Sequence, residues 1–201
     1  IILLTFLAGM LTIPAASLTE YGIYKMFLKL NLAEIGSISL PLIFILAGVE
    51  EYFKYLAAKY AALKRKCFDE PVDAMVYLIT AALGFAAIEN SLYIFQGFTS
   101  SGILTGLFSG NLRFLGANLL HAISSGIIGI SIGVSFFMQR WEKKCFLFIG
   151  FIMAIALHSA FNFFIIRNDG NNFLKVAAFL WVVTIIIMLL FEKVRRMSEN
   201  Y

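Results

Sequence analysis

Six apolar stretches separated by short polar connectors set the rhythm of this chain. They cover residues 1–18, 37–63, 72–96, 113–138, 145–166 and 173–191. Each is near or above the roughly 20 residues that a helix needs to cross about 30 Å of hydrocarbon. Lipid offers no partner to a backbone N–H or C=O, so the stretches predict helices, and the short alternating segments of a membrane barrel are absent. The connectors "KLNLAEIG", "KRKCFDEPVD", "QRWEKK" and "RNDGNN" carry the polar punctuation. "GFTSSGILTGLFSGN" differs from them: it is uncharged, Gly/Ser-rich and half apolar, and it predicts an interfacial or re-entrant segment. The predicted class is all-α, a polytopic transmembrane helix bundle with about six visible spans.

Composition agrees with the pattern. The 201 residues are 61% hydrophobic and only 14% charged, against about 25% charged in soluble domains. The net charge of +4 is not the footprint of a nucleic-acid binder, because the basic residues sit in short loops, as membrane topology requires. Lys59, Lys64, Arg65, Lys66, Arg140, Lys143, Lys144, Lys193, Arg195 and Arg196 fall on one side; Lys25, Lys29, Arg113, Arg167 and Lys175 fall on the other. The richer side is expected to be cytoplasmic. Both cysteines, Cys67 and Cys145, then face the reducing compartment, and no disulfide is expected. The bilayer is one partner and nucleic acid is not; the oligomeric state is not legible.

Against this apolar background the ionisable residues inside spans stand out. They are Glu50, Glu51 and Lys54 on the second span, Glu89 on the third, His121 on the fourth and His158 on the fifth, accompanied by Asn90, Asn118 and Asn162. Each charge at a helix centre costs about 2.5–3.5 kcal/mol on insertion scales, so intramembrane acids point to function. Counted from the ends of their spans, Glu89, His121 and His158 all lie roughly 10–12 Å below the outer boundary. Glu50 lies roughly 20 Å down, and shallower if its helix starts late or tilts. Two adjacent carboxylates in low dielectric cannot both stay charged cheaply without a cation, and Lys54 shares a helical face with Glu50. His158 and Asn162 share another face and could donate to a developing oxyanion. Ser125, Gly129 and Gly133 form a small-residue packing stripe. A proton or cation pathway would use the same acids, so a coupled transporter is the alternative to a water-activating enzyme.

Five short motifs, in order on successive spans, give this chain a family resemblance. They are "EEYFK" at residues 50–54, "FDEPVDAMVY" at 68–77, "GFAAIENSLY" at 84–93, Arg113 followed by His121, and "LHSAFNF" at 157–163. The chain resembles the PrsW family of intramembrane proteases, grouped with the CAAX prenyl protease and bacteriocin-immunity superfamily. The resemblance implies one integral membrane protease domain over residues 1–201, with an N-terminal helix of the family expected before Ile1. It implies a bacterial or archaeal cell membrane and a membrane-anchored protein substrate such as an anti-sigma factor. Glu50 and Glu51 match the paired glutamates, Glu89 the acid of the second motif, and His121 and His158 the two histidines. Asn162 departs from the Asp that PrsW-type sequences often carry there and matches the CAAX branch, where the His/Asn pair forms the oxyanion hole.

These strands give one expected mechanism. Glu50 is the expected general base; Glu51 and Glu89 assist; His121 orients the water; His158 and Asn162 stabilise the oxyanion. Lys54 tunes the glutamate pair, with Asn90 and Arg113 in support. No cofactor is expected. The variant is a zinc site held by Glu51, His121 and His158, since two histidines and a glutamate leave a position for water.

Overall fold

The computed structural model describes the backbone of residues 1–32, 39–101, 103–167 and 173–198. The side chains of residues 98–101, 103–115, 165–167, 173, 174, 177 and 198 lie outside the described set. The described residues form seven α-helices and one π-helical turn, with no strand.

The chain opens with α1 (Ile2–Leu11) and α2 (Ile13–Lys29). Pro14 has no N–H to continue the ladder, and the two helices meet at Thr12, whose hydroxyl donates to the Gly9 carbonyl at 2.7 Å. Together they make one apolar stretch, Ile2–Lys29, long enough to span. The helix therefore runs well past residue 18, where the sequence pattern ends it. It stops at Asn31, which takes φ 53°. Leu32 N–H then donates to Phe27 O and Asn31 N–H to Leu28 O, a Schellman closure.

α3 (Leu40–Ala58) starts with Pro41 in its first turn, where a missing N–H is harmless, and runs into a π-helical turn (Lys59–Leu63). α4 (Asp73–Ser101) follows the "FDEPVD" loop. Asp73 ties that loop by accepting from the N–H groups of Asp69 and Glu70, and the Tyr77 hydroxyl donates to Cys67 O at 2.9 Å. α5 (Ile103–Val134), α6 (Arg140–Arg167) and α7 (Phe173–Ser198) complete the bundle. The stretch expected as an interfacial or re-entrant segment is helical over residues 97–101 and 103–111 and lengthens α4 and α5. "RWEKK" likewise opens α6, with Glu142 accepting from Gln139 N–H, instead of forming a loop.

Among the described residues, four helical stretches are long and apolar enough to cross a membrane: Ile2–Lys29, Asp73–Gly97, Gly116–Val134 and Arg140–Phe164. The protein is a multi-pass integral membrane protein. α3 carries three charges in its middle, and these take it off the apolar scale. The α5 span is the centre of the bundle, 67% buried against 22–39% for the other three. α5 packs on α4, α6 and α7, while α3 lies against α4 and α6. Close approach rests on small residues. A Cβ on Gly9 would strike the Ala81 carbonyl and one on Gly84 the Phe6 carbonyl, so α1 and α4 touch backbone to backbone. Gly129 is the counterpart between α5 and α4, with Met75 Cα 2.6 Å from where its Cβ would sit.

Candidate functional site

α3 delivers three consecutive-turn charges to the bundle interior, and α4, α5 and α6 deliver what surrounds them. Glu51 and Lys54 are 0% exposed, His158 1% and His121 2%. Burial on this scale demands full pairing, and Glu51 has it. Its Oε1 accepts from Lys54 Nζ at 2.7 Å, Ser124 Oγ at 2.8 Å and His158 Nδ1 at 2.8 Å. Its Oε2 accepts from Ser125 Oγ at 2.8 Å. Lys54 turns inward: its Nζ also lies 2.7 Å from His121 Nδ1 and 5.0 Å from the centroid of the Phe85 ring.

Glu50 is arranged differently. Its Oε2 is buried and has no hydrogen-bond partner. Around it, at distances just beyond a hydrogen bond, stand Lys54 Nζ and His158 Nε2 at 3.6 Å and His121 Nδ1 at 3.7 Å. Both imidazoles are held from behind by a carboxylate. His158 presents Nδ1 to Glu51, and His121 presents Nε2 to Glu89 Oε2 at 2.7 Å. A carboxylate there accepts, so those nitrogens carry the proton; of the opposite ones, His121 Nδ1 accepts from Lys54 Nζ and His158 Nε2 faces Glu50 with its lone pair. The two rings meet edge to face, 5.2 Å apart.

The other expected residues divide. Glu89 joins the cluster through His121. Asn90 donates to Asn118 Oδ1 at 3.0 Å, clasping α4 to α5 beside the site. Asn162 is half-buried one turn after His158 and makes no side-chain hydrogen bond to the cluster among the described residues. Arg113 lies on α5 with its side chain outside the described set. Glu50 is brought to the histidines because α3 begins at Leu40, which shortens its depth to roughly 15 Å.

Three residues were not singled out from sequence. Ser124 and Ser125 hold Glu51, though Ser125 reads from spacing only as packing. Glu20, on α2, has a buried Oε1 without a hydrogen-bond partner and lies close enough to Glu89, Glu50 and Lys54 for their charges to act on it. Ending the first span at residue 18 placed it outside the membrane; the apolar run around "EYGIYKMFLKL" was the signal that could have placed it inside.

The donor set suits a divalent cation. Glu50, His121 and His158 offer ligand atoms that all lie within 4.8 Å of one another. The expected set had Glu51 in place of Glu50, but both Glu51 oxygens are occupied by donors, and the uncommitted oxygen belongs to Glu50. Imidazoles backed by carboxylates are the usual support of metal-binding histidines. Four carboxyl groups also face a single ammonium here, an acid excess that a cation would offset. Lys54 Nζ faces the same nitrogen of His121, so that contact and an ion on Nδ1 exclude one another.

A family model described as PrsW family intramembrane metalloprotease matches residues 1–191. A protein named Protease PrsW from Oceanobacillus iheyensis is 27% identical over 200 residues, covering 100% of this chain and 84% of that protein. A protein of the same name from Clostridioides difficile is 32% identical over 140 residues, 69% of this chain and 58% of that protein. Its namesake from Bacillus subtilis is 25% identical over 183 residues, 90% of this chain and 77% of that protein. No solved structure matches the chain.

Proposed function

The chain belongs to the PrsW family of intramembrane metalloproteases, and from that premise we propose that it hydrolyses a peptide bond of a membrane-anchored protein at the cluster around Glu50. A single-span regulatory protein of the anti-sigma-factor kind is the substrate class this reading favours. The observation that carries it is the buried, unpartnered oxygen of Glu50, 3.6–3.7 Å from a nitrogen of each imidazole.

Glu50, His121 and His158 would hold a divalent ion, zinc by the character of the donors. Bound there, the ion would supply Lewis-acid polarisation of the scissile carbonyl and a more acidic water. The protein's own groups do the rest. With its Oε2 turned to the ion, Glu50 would take the proton of the attacking water on its other oxygen, Oε1, and pass it toward the leaving amine. Glu51 fixes His158 through Nδ1, and Glu89 fixes His121 through Nε2, which turns the opposite nitrogens toward Glu50 and the ion it would hold. Lys54 balances Glu51 and keeps the pair of glutamates in place. Because His158 already has both nitrogens engaged, the oxyanion falls to Asn162, whose amide is unclaimed by the cluster.

The test is mass spectrometry of single-span membrane proteins exposed to the purified, reconstituted chain. Cleavage is expected, with loss on treatment with a strong chelator and recovery on adding zinc. Cleavage that survives the chelator removes the ion and leaves Glu50 acting on water alone. Charge movement in liposomes without cleavage would overturn the protease reading in favour of a proton- or cation-coupled transporter.

A further inference from the structure

Toward the Lys-rich end of α3 lies a cavity of about 220 Å³, between the π-helical turn, the end of α5 and the start of α6. Lys59, Lys64 and Lys143 line it, with Leu63, Phe136 and Leu147 among its apolar walls. No carboxylate pairs with any of the three lysines among the described residues. They rest over aromatic rings instead: Lys59 Nζ is 5.2 Å from the Tyr55 centroid, Lys64 Nζ 4.4 Å from Tyr60 and Lys143 Nζ 5.7 Å from Phe136. A ring face is a weaker partner than an anion.

Inside-positive topology asks only that lysines sit in loops. It does not ask for three of them on the wall of one cavity, nor for Lys59 to be half-buried. The π turn matters here. Such turns are rare and concentrate at functional sites, and this one places both Lys59 and Leu63 on the cavity wall. The level in the membrane identifies the ligand. The apolar run of α3 ends at Leu63, and Trp141, 72% exposed, marks the belt where aromatic side chains meet headgroups. An anion at this level with apolar walls beside it is a lipid phosphate.

We propose that this cavity binds the phosphate headgroup of an anionic phospholipid of the cytoplasmic leaflet. Its chains continue along the apolar wall that includes Leu63 and Leu147. The site clamps α3 to α5 and α6, three of the helices that bring the buried charges together, and it stands independently of the protease reading.

The experiment titrates the purified full chain, in phosphatidylcholine nanodiscs, with phosphatidylglycerol and counts bound lipid by native mass spectrometry. Lys59→Gln/Lys64→Gln/Lys143→Gln is compared with Arg65→Gln/Lys66→Gln/Lys144→Gln, which removes the same charge from the same side outside the cavity. The first set should weaken phosphatidylglycerol binding on the order of 100-fold and the second only about threefold. Equal weakening in both, or in neither, overturns the site. Displacement of the lipid by millimolar inorganic phosphate overturns it in favour of a soluble phosphate. Should the triple variant fail to fold, Lys143→Gln alone, at an exposed side chain, should weaken binding about fivefold; no change there overturns the proposal equally.

Discussion

Two neighbouring glutamates on one helix have opposite situations, and this makes them separable by mutation. Glu51 accepts from Lys54, Ser124, Ser125 and His158. An amide in its place turns N–H groups toward donors and strips the buried ammonium of its counter-charge. Glu51→Gln should therefore cost about 3–5 kcal/mol of stability, seen as a lower thermal midpoint in detergent. Glu50 has a free buried oxygen. Glu50→Gln should leave the midpoint unchanged or raise it, while cleavage falls by about 100-fold or more. Near-normal turnover in that variant would move the base to Glu89. Asn162 can be probed in the same way. Asn162→Asp keeps the size but loses the N–H donor, as Asn162→Ala does, so both should lose activity to a similar degree. Retained activity in Asn162→Asp alone would show that the side chain acts by accepting or positioning and that the oxyanion is held elsewhere.

Helices and their positions were largely legible, because apolar run length is a strong signal and lipid leaves the backbone no other choice. What the pattern could not give was where two helices touch, and hence which polar groups meet. Counting residues brings Glu50 to a depth similar to that of the histidines only if its helix starts late or tilts, and the start of α3 at Leu40 supplies the first of these. Glu51 was assigned to the ion because nothing in its spacing shows that Ser124 and Ser125, from another helix, occupy it. Glu20 was missed by ending a span too early. Its buried oxygen has no partner, so Glu20→Gln should leave the thermal midpoint unchanged or higher; a drop would mean that its charge is paired in the membrane. The contact of α1 with α4 belongs to the same scale. Gly84 touches the Phe6 carbonyl through space that no side chain can enter, and backbone cannot step aside without moving a helix. Gly84→Val should cost about 3 kcal/mol, the upper end of overpacking effects, read by the same melting assay.

At the scale of the whole molecule, the cluster's depth sets the side on which a substrate is cut. Glu89 lies seven residues before Gln96, and His158 eight before Ile166, in helices that run toward the Lys/Arg-poor loops. Glu20 precedes Lys29 by nine residues at the same end of α2. All sit roughly 10–14 Å from that boundary. The Lys/Arg-rich end of α3 is farther, and the "FDEPVD" loop beside it is tied down by Asp73. Water and an extended peptide therefore reach Glu50 by the shorter path from outside. Cleavage should fall on the extracytoplasmic flank of the substrate's span or just within it. The expected orientation comes from charge counting and must be measured alongside: impermeant thiol reagent added to intact cells should leave Cys67 and Cys145 unmodified, and both should react once the inner face is opened. With that topology established, the cut site is read by mass spectrometry of the two fragments. A cut on the cytoplasmic flank would mean that the substrate enters past α3 and α6 and that depth alone does not choose the path.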